Sequence, residues 1–344
     1  RGRKEYFDQI EELTEEKFEK EMENVQNFKE RLRDIDLENL SSREKVTYGM
    51  MEFALDSNHD SLVDRSWEFS AGVAGFEGFL IDYNQQMFIP DTESSDMLLK
   101  RLELYKRFYT QISDIQKQGL NKNRVATQRN LERSIDQLES YLATSLEEDP
   151  LLLVNFSPEI DGKEVSEWKD RAKNIIEKYV RPSVMSYLEQ LRVDHLPKGR
   201  TDENPGIMWI DGGEEVYLRS LRKYTGHKET TVKEVHKIGL SEIDRLKKEF
   251  LDIGKNVFDG VEKPEDVLHK MQTEPSMRYE SKEQMLQLAE DTIKRAYKPL
   301  AEWFTVFPKA PCKVLPVPTQ SEKHAPPAYY FPPLPDGSRD GTYF

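Results

Sequence analysis

The sequence predicts a mainly α-helical protein, with a large multi-helix body and a small extended or β segment at its C-terminal end. Three observations support this fold class. Apolar residues recur three and four positions apart through most of the chain between Glu5 and Trp303. Helix-capping sequences and a glycine-containing break separate these stretches. From Phe304 onward prolines are too frequent for helix interiors, so we expect the helical part to end there.

Two stretches in the first half have the helical period. Their apolar positions are Leu98, Leu102, Tyr105, Tyr109 and Ile112 in the first, and Leu131, Ile135, Leu138 and Leu142 in the second. Residues 118–121 contain a glycine and an asparagine, which are typical of a helix end followed by a restart. We therefore expect an antiparallel pair of helices.

Two further helices are announced by capping boxes. Thr231 with Glu234 predicts a helix whose apolar face includes Val235, Gly239, Ile243, Leu246 and Phe250. Ser281 with Gln284 predicts a helix whose apolar face includes Met285, Leu288, Ala296, Leu300 and Trp303. In all four helices we expect the apolar stripe to lie in the core.

The first 35 residues are rich in Glu and Lys and carry a thinner apolar stripe, so we expect a long helix on the edge of the body. By sequence character the chain divides into an N-terminal helical region (1–200), a second helical region (201–303) and a proline-rich extended segment (304–344). In the last region Val314 and Leu315 suggest short extended pieces, residues 336–341 suggest tight turns, and residues 342–344 suggest a strand. We expect the partners of that strand to lie beyond Phe344.

The amino-acid composition disfavours two classes of protein, those that bind nucleic acids and those that span a membrane. The 344 residues carry 50 Lys and Arg against 64 Asp and Glu, a net charge of −14, which disfavours binding to a phosphate backbone. No apolar run approaches the roughly 18 residues of a membrane span. The single cysteine, Cys312, excludes an internal disulfide and leaves the compartment open, secreted or cytoplasmic. The chain begins at Arg1 without an initiator methionine, which suggests a processed product.

The usual catalytic motifs are missing from the sequence. None of the six histidines is followed by Glu, so the chain has no His-Glu-x-x-His zinc motif and we predict no metal ligand in it. It also has no Gly-x-Ser-x-Gly elbow, phosphate-binding loop or dinucleotide fingerprint. A self-contained active site is therefore not visible.

Two local features still suggest a site. His236 falls on the apolar face of its helix, where it is either a buried core histidine or a cleft histidine that donates to an oxyanion. Tyr329 and Tyr330, followed by Ser338 and Arg339, could line a substrate groove, with Arg339 holding a carboxylate; the alternative is a proline-braced surface loop.

Several short motifs in the second half occur in an order that resembles a known family. They are Gly206 and residues 211–217, 221–225, 234–240, 304–308, 329–333, 336–339 and 341–343. Together they resemble the bacterial "domain of unknown function 885" family, and the resemblance extends loosely over the earlier helices. One departure is Asp340, which stands where the family often has Pro.

The resemblance implies a helical zinc peptidase of the gluzincin type, of which this chain is an incomplete, N-terminal part. In such proteins a His-Glu-x-x-Pro-Gly-His-type helix follows shortly after the segment that resembles residues 336–339, and this sequence stops before it. The resemblance implies substrate contacts for Tyr329, Tyr330 and Arg339. It implies oxyanion or backbone recognition by His236 and Tyr224.

By the same resemblance, Asp336 and Ser338 shape the turn. Zinc, bound by residues outside this chain, would be the cofactor, and a peptide-like substrate the ligand. The partner would be the C-terminal part of the same precursor, present as a second chain or as a removed segment. The alternative is a non-catalytic helical scaffold or binding subunit derived from the same family. The sequence alone therefore leaves open whether the protein is an enzyme.

Overall fold

A computed structural model describes residues 4–71, 87–306, 310–317, 328–333 and 340–344. The chain forms two compact units, unit 1 (Arg1–Gly226) and unit 2 (His227–Phe344). Both are built mainly from helices, with a few short strands mostly near the C-terminus, so the predicted mainly α-helical class is confirmed. The division at residues 200 and 303 rests on sequence character and stays a prediction. Every helix in the described ranges is too short or too polar to cross a membrane.

Unit 1 contains eight α-helices among its described residues. They are α1 (Glu15–Arg33), α2 (Ser42–Asp64), α3 (Thr92–Glu103), α4 (Tyr105–Asn121), α5 (Gln128–Ala143), α6 (Gly162–Ile175), α7 (Arg181–Gln190) and α8 (Gly213–Thr225). Two short strands, β1 (Phe88–Ile89) and β2 (Asn155–Phe156), pair in parallel. Helices α4 and α5 both pack on α7, which therefore lies at the centre of this unit.

The core of unit 1 matches the predicted stripes. Leu98, Leu102, Tyr105, Tyr109 and Ile112 are essentially inaccessible to solvent, and Leu131, Ile135 and Leu138 are buried beside them. The predicted break is also confirmed, because α4 ends at Asn121 and α5 starts at Gln128 with Thr127 as its N-cap. The first stripe is divided at Leu104 into α3 and α4, which the unbroken periodicity did not reveal.

The N-terminal region is less helical than predicted. Phe7, Ile10 and Leu13 are buried, but they precede the helix, which begins only where Thr14 caps the amide of Lys17. The side chain of Phe18 stacks on Trp67 with ring centroids 4.0 Å apart. The expected long edge helix is therefore shorter, and an irregular apolar segment anchors its start.

A buried acidic group fixes the position of α7. The side chain of Asp149 is fully inaccessible, and Arg181 donates to it through Nε (3.1 Å) and Nη2 (2.9 Å). Tyr141 donates its hydroxyl to the same carboxylate at 3.2 Å, and the amide of Leu151 donates at 3.1 Å. Burial raises the pKa of the Asp149 carboxyl, and the hydrogen bonds from Leu151 and Arg181 oppose that rise.

A second buried carboxylate lies between α2 and α4. Glu68 accepts ion-pair contacts from Arg65 at 2.9 Å, Lys122 at 3.0 Å and Arg124 at 2.6 Å. Arg124 also donates to the carbonyl of Asp211 at 2.7 Å, and so links this centre to the turn before α8. A buried carboxylate is destabilising unless cations and hydrogen-bond donors surround it, and here three cationic side chains contact Glu68.

The turn before α8 requires glycine. Gly212 has a φ of +70°, and a Cβ on Gly213 would lie 1.9 Å from the carbonyl oxygen of Ile207. This explains why the sequence has two glycines between Asp211 and α8.

Unit 2 contains four α-helices and three strands among its described residues. They are α9 (Val232–Val257), α10 (Pro264–Thr273), α11 (Lys282–Tyr297), α12 (Leu300–Trp303), β3 (Cys312–Val314), β4 (Tyr330–Phe331) and β5 (Gly341–Tyr343). The capping box of Thr231 and Glu234 is present, and Ser281 caps the amide of Gln284 as predicted. The second predicted helix is divided, because Pro299 has no amide hydrogen with which to continue α11.

Burial in unit 2 does not follow the prediction. Gly254 is the only buried residue of α9, and α11 has none. Ile243, Leu246, Met285 and Leu288 each remain about half exposed. The expectation that these two stripes form core is therefore wrong for the described chain, although the helices and their capping residues are as predicted.

The short strands of unit 2 form one sheet with β5 in the middle. Strand β5 pairs in parallel with β3, Cys312 opposite Gly341, and antiparallel with β4, Tyr330 opposite Tyr343. The sequence placed the partners of residues 342–344 beyond Phe344, whereas within the described residues β3 and β4 supply them on both sides.

Candidate functional site

The two predicted tyrosines lie on opposite faces of the unit 2 sheet. Tyr329 stacks on Phe344 with centroids 5.0 Å apart, and both rings contact Phe331. Tyr329 and Phe344 also exchange two backbone hydrogen bonds, of 3.1 and 2.9 Å. Because side chains alternate along a strand, Tyr330 points away from this aromatic cluster. The two phenols therefore do not line one face together.

Tyr330 lies over Gly341 on the other face. A Cβ on Gly341 would come within 2.4 Å of the Tyr330 hydroxyl, so a glycine in the central strand lets the phenol rest there. The Tyr330 side chain is half exposed, and partial burial raises the pKa of its phenol. Partial burial likewise raises the pKa of the Cys312 thiol on the neighbouring strand. Both groups are thus protonated at neutral pH, and the phenol can donate a hydrogen bond.

The other predicted site residues are spread over the molecule. His236 is exposed on the first turns of α9, so the buried-core alternative for it is wrong. Tyr224 is 85% exposed near the end of α8, in unit 1. Asp336, Ser338 and Arg339 lie outside the described residues. Their roles, like those of Tyr329 and Tyr330, stay predictions.

The acidic and histidine residues do not gather into a metal site in the part of the chain that the structure describes. No group of three or more His, Cys, Asp or Glu side chains there could hold an ion. These residues therefore do not fit zinc, and no step of a reaction through zinc can be derived from them.

A polar cleft in unit 1 was not predicted. It has a volume of about 370 Å³ and runs between α4 and the helix that contains α7. Its walls carry ammonium, hydroxyl and amide groups; among them are Lys106, Lys117, Lys178, Ser183 and Gln190. The backbone of 176–180 forms a π-helical turn beside the cleft, a distortion that periodicity alone does not reveal. None of the predicted site residues lines this cleft.

An apolar groove on α9 was also not predicted, because the sequence predicts that its residues lie in the core. It has a volume of about 410 Å³ and is lined by apolar residues of α9 with Pro264 of α10; among them are Ile243, Leu246, Phe250 and Ile253. The sequence did contain the signal, since these four residues alternate three and four positions apart. That spacing is the pattern of a helix that packs against another helix.

Comparison with known proteins defines the class of the chain. The model of the family described as "Bacterial protein of unknown function (DUF885)" matches residues 1–344, so the chain belongs to that family. This confirms the family that the sequence motifs indicate. A search of curated proteins found no match.

A solved structure has the same fold. It is described as "The crystal structure of the putative lipoprotein from Colwellia psychrerythraea". The similarity has a TM-score of 0.82 at 18% sequence identity and covers 98% of this chain. This chain spans 60% of that chain's length. At this identity the likeness concerns the fold.

Proposed function

We propose that this chain is the N-terminal, cleft-forming portion of a zinc metallopeptidase-like hydrolase. The zinc-binding helix would lie outside these 344 residues, on a second chain or a removed segment of the same precursor. The single observation that carries the proposal is the uncovered apolar surface of unit 2. Helix α11 has no buried residue, and Ile243, Leu246 and Ile253 of α9 are about half exposed or more.

Such surface is costly for a protein to leave in water. Soluble proteins seldom expose contiguous apolar patches larger than a few hundred Å² unless the patch is an interface. An obligate interface resembles a domain core cut in half, which is the character of these helix faces. The remainder of the Colwellia chain, which this chain does not match, is consistent with further elements in the same fold.

The zinc part of the proposal comes from the family resemblance. The described residues supply no ligand set, and in this proposal the partner segment holds the metal. Residues of this chain would bind and orient a peptide-like substrate. Tyr330 offers a protonated phenol and His236 an exposed imidazole, and each can donate to a carbonyl oxygen. Arg339 would bind a carboxylate of the substrate.

The alternative is a helical scaffold or binding subunit that has lost catalysis. The absence of ligands among the described residues fits this alternative equally well. It also predicts a partner on unit 2, but a partner without metal.

Intact-mass and metal analysis of material purified from its natural source tests the proposal. We expect a second polypeptide with a His-Glu-x-x-Pro-Gly-His-type sequence to co-purify, and about one zinc per complex. In this complex, Arg339→Ala should lower kcat/KM for a peptide substrate by about ten-fold or more, a loss of about 1.4 kcal/mol in transition-state stabilisation. A complex without metal would favour the scaffold, and a lone 40.3 kDa chain without partner or zinc would contradict the proposal.

A further inference from the structure

The exposed face of α9 has a regular spacing over its whole length. Seven residues follow one another at alternating intervals of three and four: His236, Gly239, Ile243, Leu246, Phe250, Ile253 and Val257. This is the heptad pattern that keeps one seam of a helix facing a neighbouring helix. At 1.5 Å per residue the seam is about 32 Å long. We call these seven residues the α9 seam.

Solvent reaches the α9 seam along its length. Leu246 is 51% and Ile253 is 63% exposed, and Ile243 and Val257 are similarly open. Gly239 has no other atom within 4 Å of the position of a Cβ, so the seam is open there too.

Helix α10 forms a side wall rather than a cover. It packs on the adjacent face of α9, where Gly254 is buried against Val267. Pro264, at the start of α10, lines the groove together with Ile243, Leu246 and Phe250. Lys247 and Glu249 border the same groove, so an apolar floor has charged edges. Such a floor with polar edges is the form of a groove that accepts the apolar face of an amphipathic helix.

We propose that an amphipathic helix from the C-terminal portion of the same precursor lies along the α9 seam. This inference rests on the proposed function. The occupant is a helix because the seam has helical, heptad spacing. The Colwellia chain of the same fold is longer, since this chain spans 60% of it, and under the proposed function the further elements are the C-terminal portion.

The position of His236 gives the docking a functional consequence. His236 is the first residue of the α9 seam, in line with the apolar positions that follow it. A helix laid along the seam therefore passes this imidazole. His236, proposed above as a substrate contact, then lies at the boundary between the two portions.

Binding of the separately produced C-terminal portion to this chain tests the inference by calorimetry. We expect Leu246→Asp and Ile253→Asp each to weaken binding by about 100-fold, because docking would bury a carboxylate in an apolar groove. Met185→Asp on α7 is the matched control, since Met185 is also a helical residue, is about as exposed as Leu246, and lies in unit 1, outside the apolar surface of unit 2. It should change the affinity by less than about five-fold, on the scale of residues outside a hot spot.

A second variant separates docking from folding. Gly239→Glu places a better helix former at an open position, so helix content should be kept or raised. If a helix covers the seam, this variant should still weaken binding by about ten-fold or more, since a charge then lies in the interface. The His236 imidazole proton signal, assigned with His236→Gln, should shift when the C-terminal portion is added to the wild-type chain.

The outcomes separate the two proposals. If the wild-type chain binds no C-terminal portion, the proposed function fails. If it binds and all three seam variants bind equally well, the α9 seam is not the docking site, and only the present inference fails. If sedimentation shows a dimer of this chain that Leu246→Asp dissociates, a second copy occupies the seam and the inference is overturned.

Discussion

The helices of units 1 and 2 have the same kind of apolar periodicity, but their apolar faces are buried in unit 1 and exposed in unit 2. In unit 1, Leu102 and Tyr105 are completely inaccessible, and α4 and α5 both pack on α7. In unit 2, Leu246 and Leu288 lie on the predicted apolar faces of α9 and α11 and remain about half exposed. Periodicity thus predicts which face of a helix is apolar, but not which element covers it. The cover depends on parts of the fold that lie far away in sequence or in another chain.

The largest difference between the units should appear in core truncations. Leu102→Ala is expected to lower the free energy of unfolding by about 3 kcal/mol, because it leaves a cavity in a packed core. Leu246→Ala should cost less than about 1 kcal/mol, because half of its side chain is already in water. Urea unfolding followed by circular dichroism measures both. Equal losses would mean that the α9 seam is covered in the chain itself.

The buried pair of Asp149 and Arg181 should give the next largest effect. Arg181→Ala leaves the Asp149 carboxylate buried without its cation, which is expected to cost about 3 kcal/mol at pH 7. Replacing both residues, as Asp149→Asn with Arg181→Met, should cost less because no charge then remains buried. A double variant as unstable as Arg181→Ala would contradict this account.

The pair of Asp149 and Arg181 also predicts how the stability of the folded chain depends on pH. Burial raises the pKa of Asp149, so the folded chain holds this proton up to a higher pH than the unfolded chain does. The contribution of this group to stability is therefore fully present below its unfolded pKa, and it is lost as pH rises through the folded pKa. Removing Arg181 raises the folded pKa further. The loss caused by Arg181→Ala should thus be smaller at pH 5 than at pH 7 in urea unfolding.

Removing the hydroxyl of Tyr141 or of Tyr330 should give a smaller difference in stability between the two units. Tyr141→Phe in unit 1 removes a buried hydrogen bond to the Asp149 carboxylate and should cost about 2 kcal/mol. Tyr330→Phe in unit 2 removes a half-exposed hydroxyl and should change stability by less than about 0.5 kcal/mol. Thermal and urea unfolding measure both changes. A large loss for Tyr330→Phe would assign that phenol to folding rather than to a site.

Helix caps should not distinguish the two units. Thr127 accepts from the amide of Asn130 at 3.3 Å, and Thr231 accepts from the amide of Glu234 at 3.2 Å. Because a cap is a local interaction, alanine at either position should cost about 1 kcal/mol. Helix content and urea midpoints measure the losses. A much smaller loss at Thr231 would indicate that contacts elsewhere along α9 stabilise this helix more than its N-terminal cap does.

The part of the fold that sequence could predict is the local part. Thr231 and Ser281 mark helix starts through their own hydrogen bonds, and the stripes of α3 to α5 give core positions directly. Pro299 and Leu104 divide helices that periodicity joins. The central place of β5 depends on pairing with strands about 12 and 29 residues away, which no local pattern specifies.

The site was less predictable than the fold. The sequence indicated His236 because it falls on the apolar face of its helix. In the structure that face is exposed to solvent, and so is His236. Tyr329 and Tyr330 are neighbours in sequence and lie on opposite faces, because the alternation of a strand separates adjacent side chains. The cleft beside Lys178 depends on a π-helical turn that has no simple sequence signature.

The order of strands in the small sheet has a consequence for biosynthesis. Strands β3 and β4 are made first and do not pair with each other among the described residues, since each is joined only to β5. A nascent chain in which residues 341–343 are still inside the ribosome therefore lacks the strand that joins β3 to β4 among the described residues. The sheet as described therefore forms only once β5 has inserted between them.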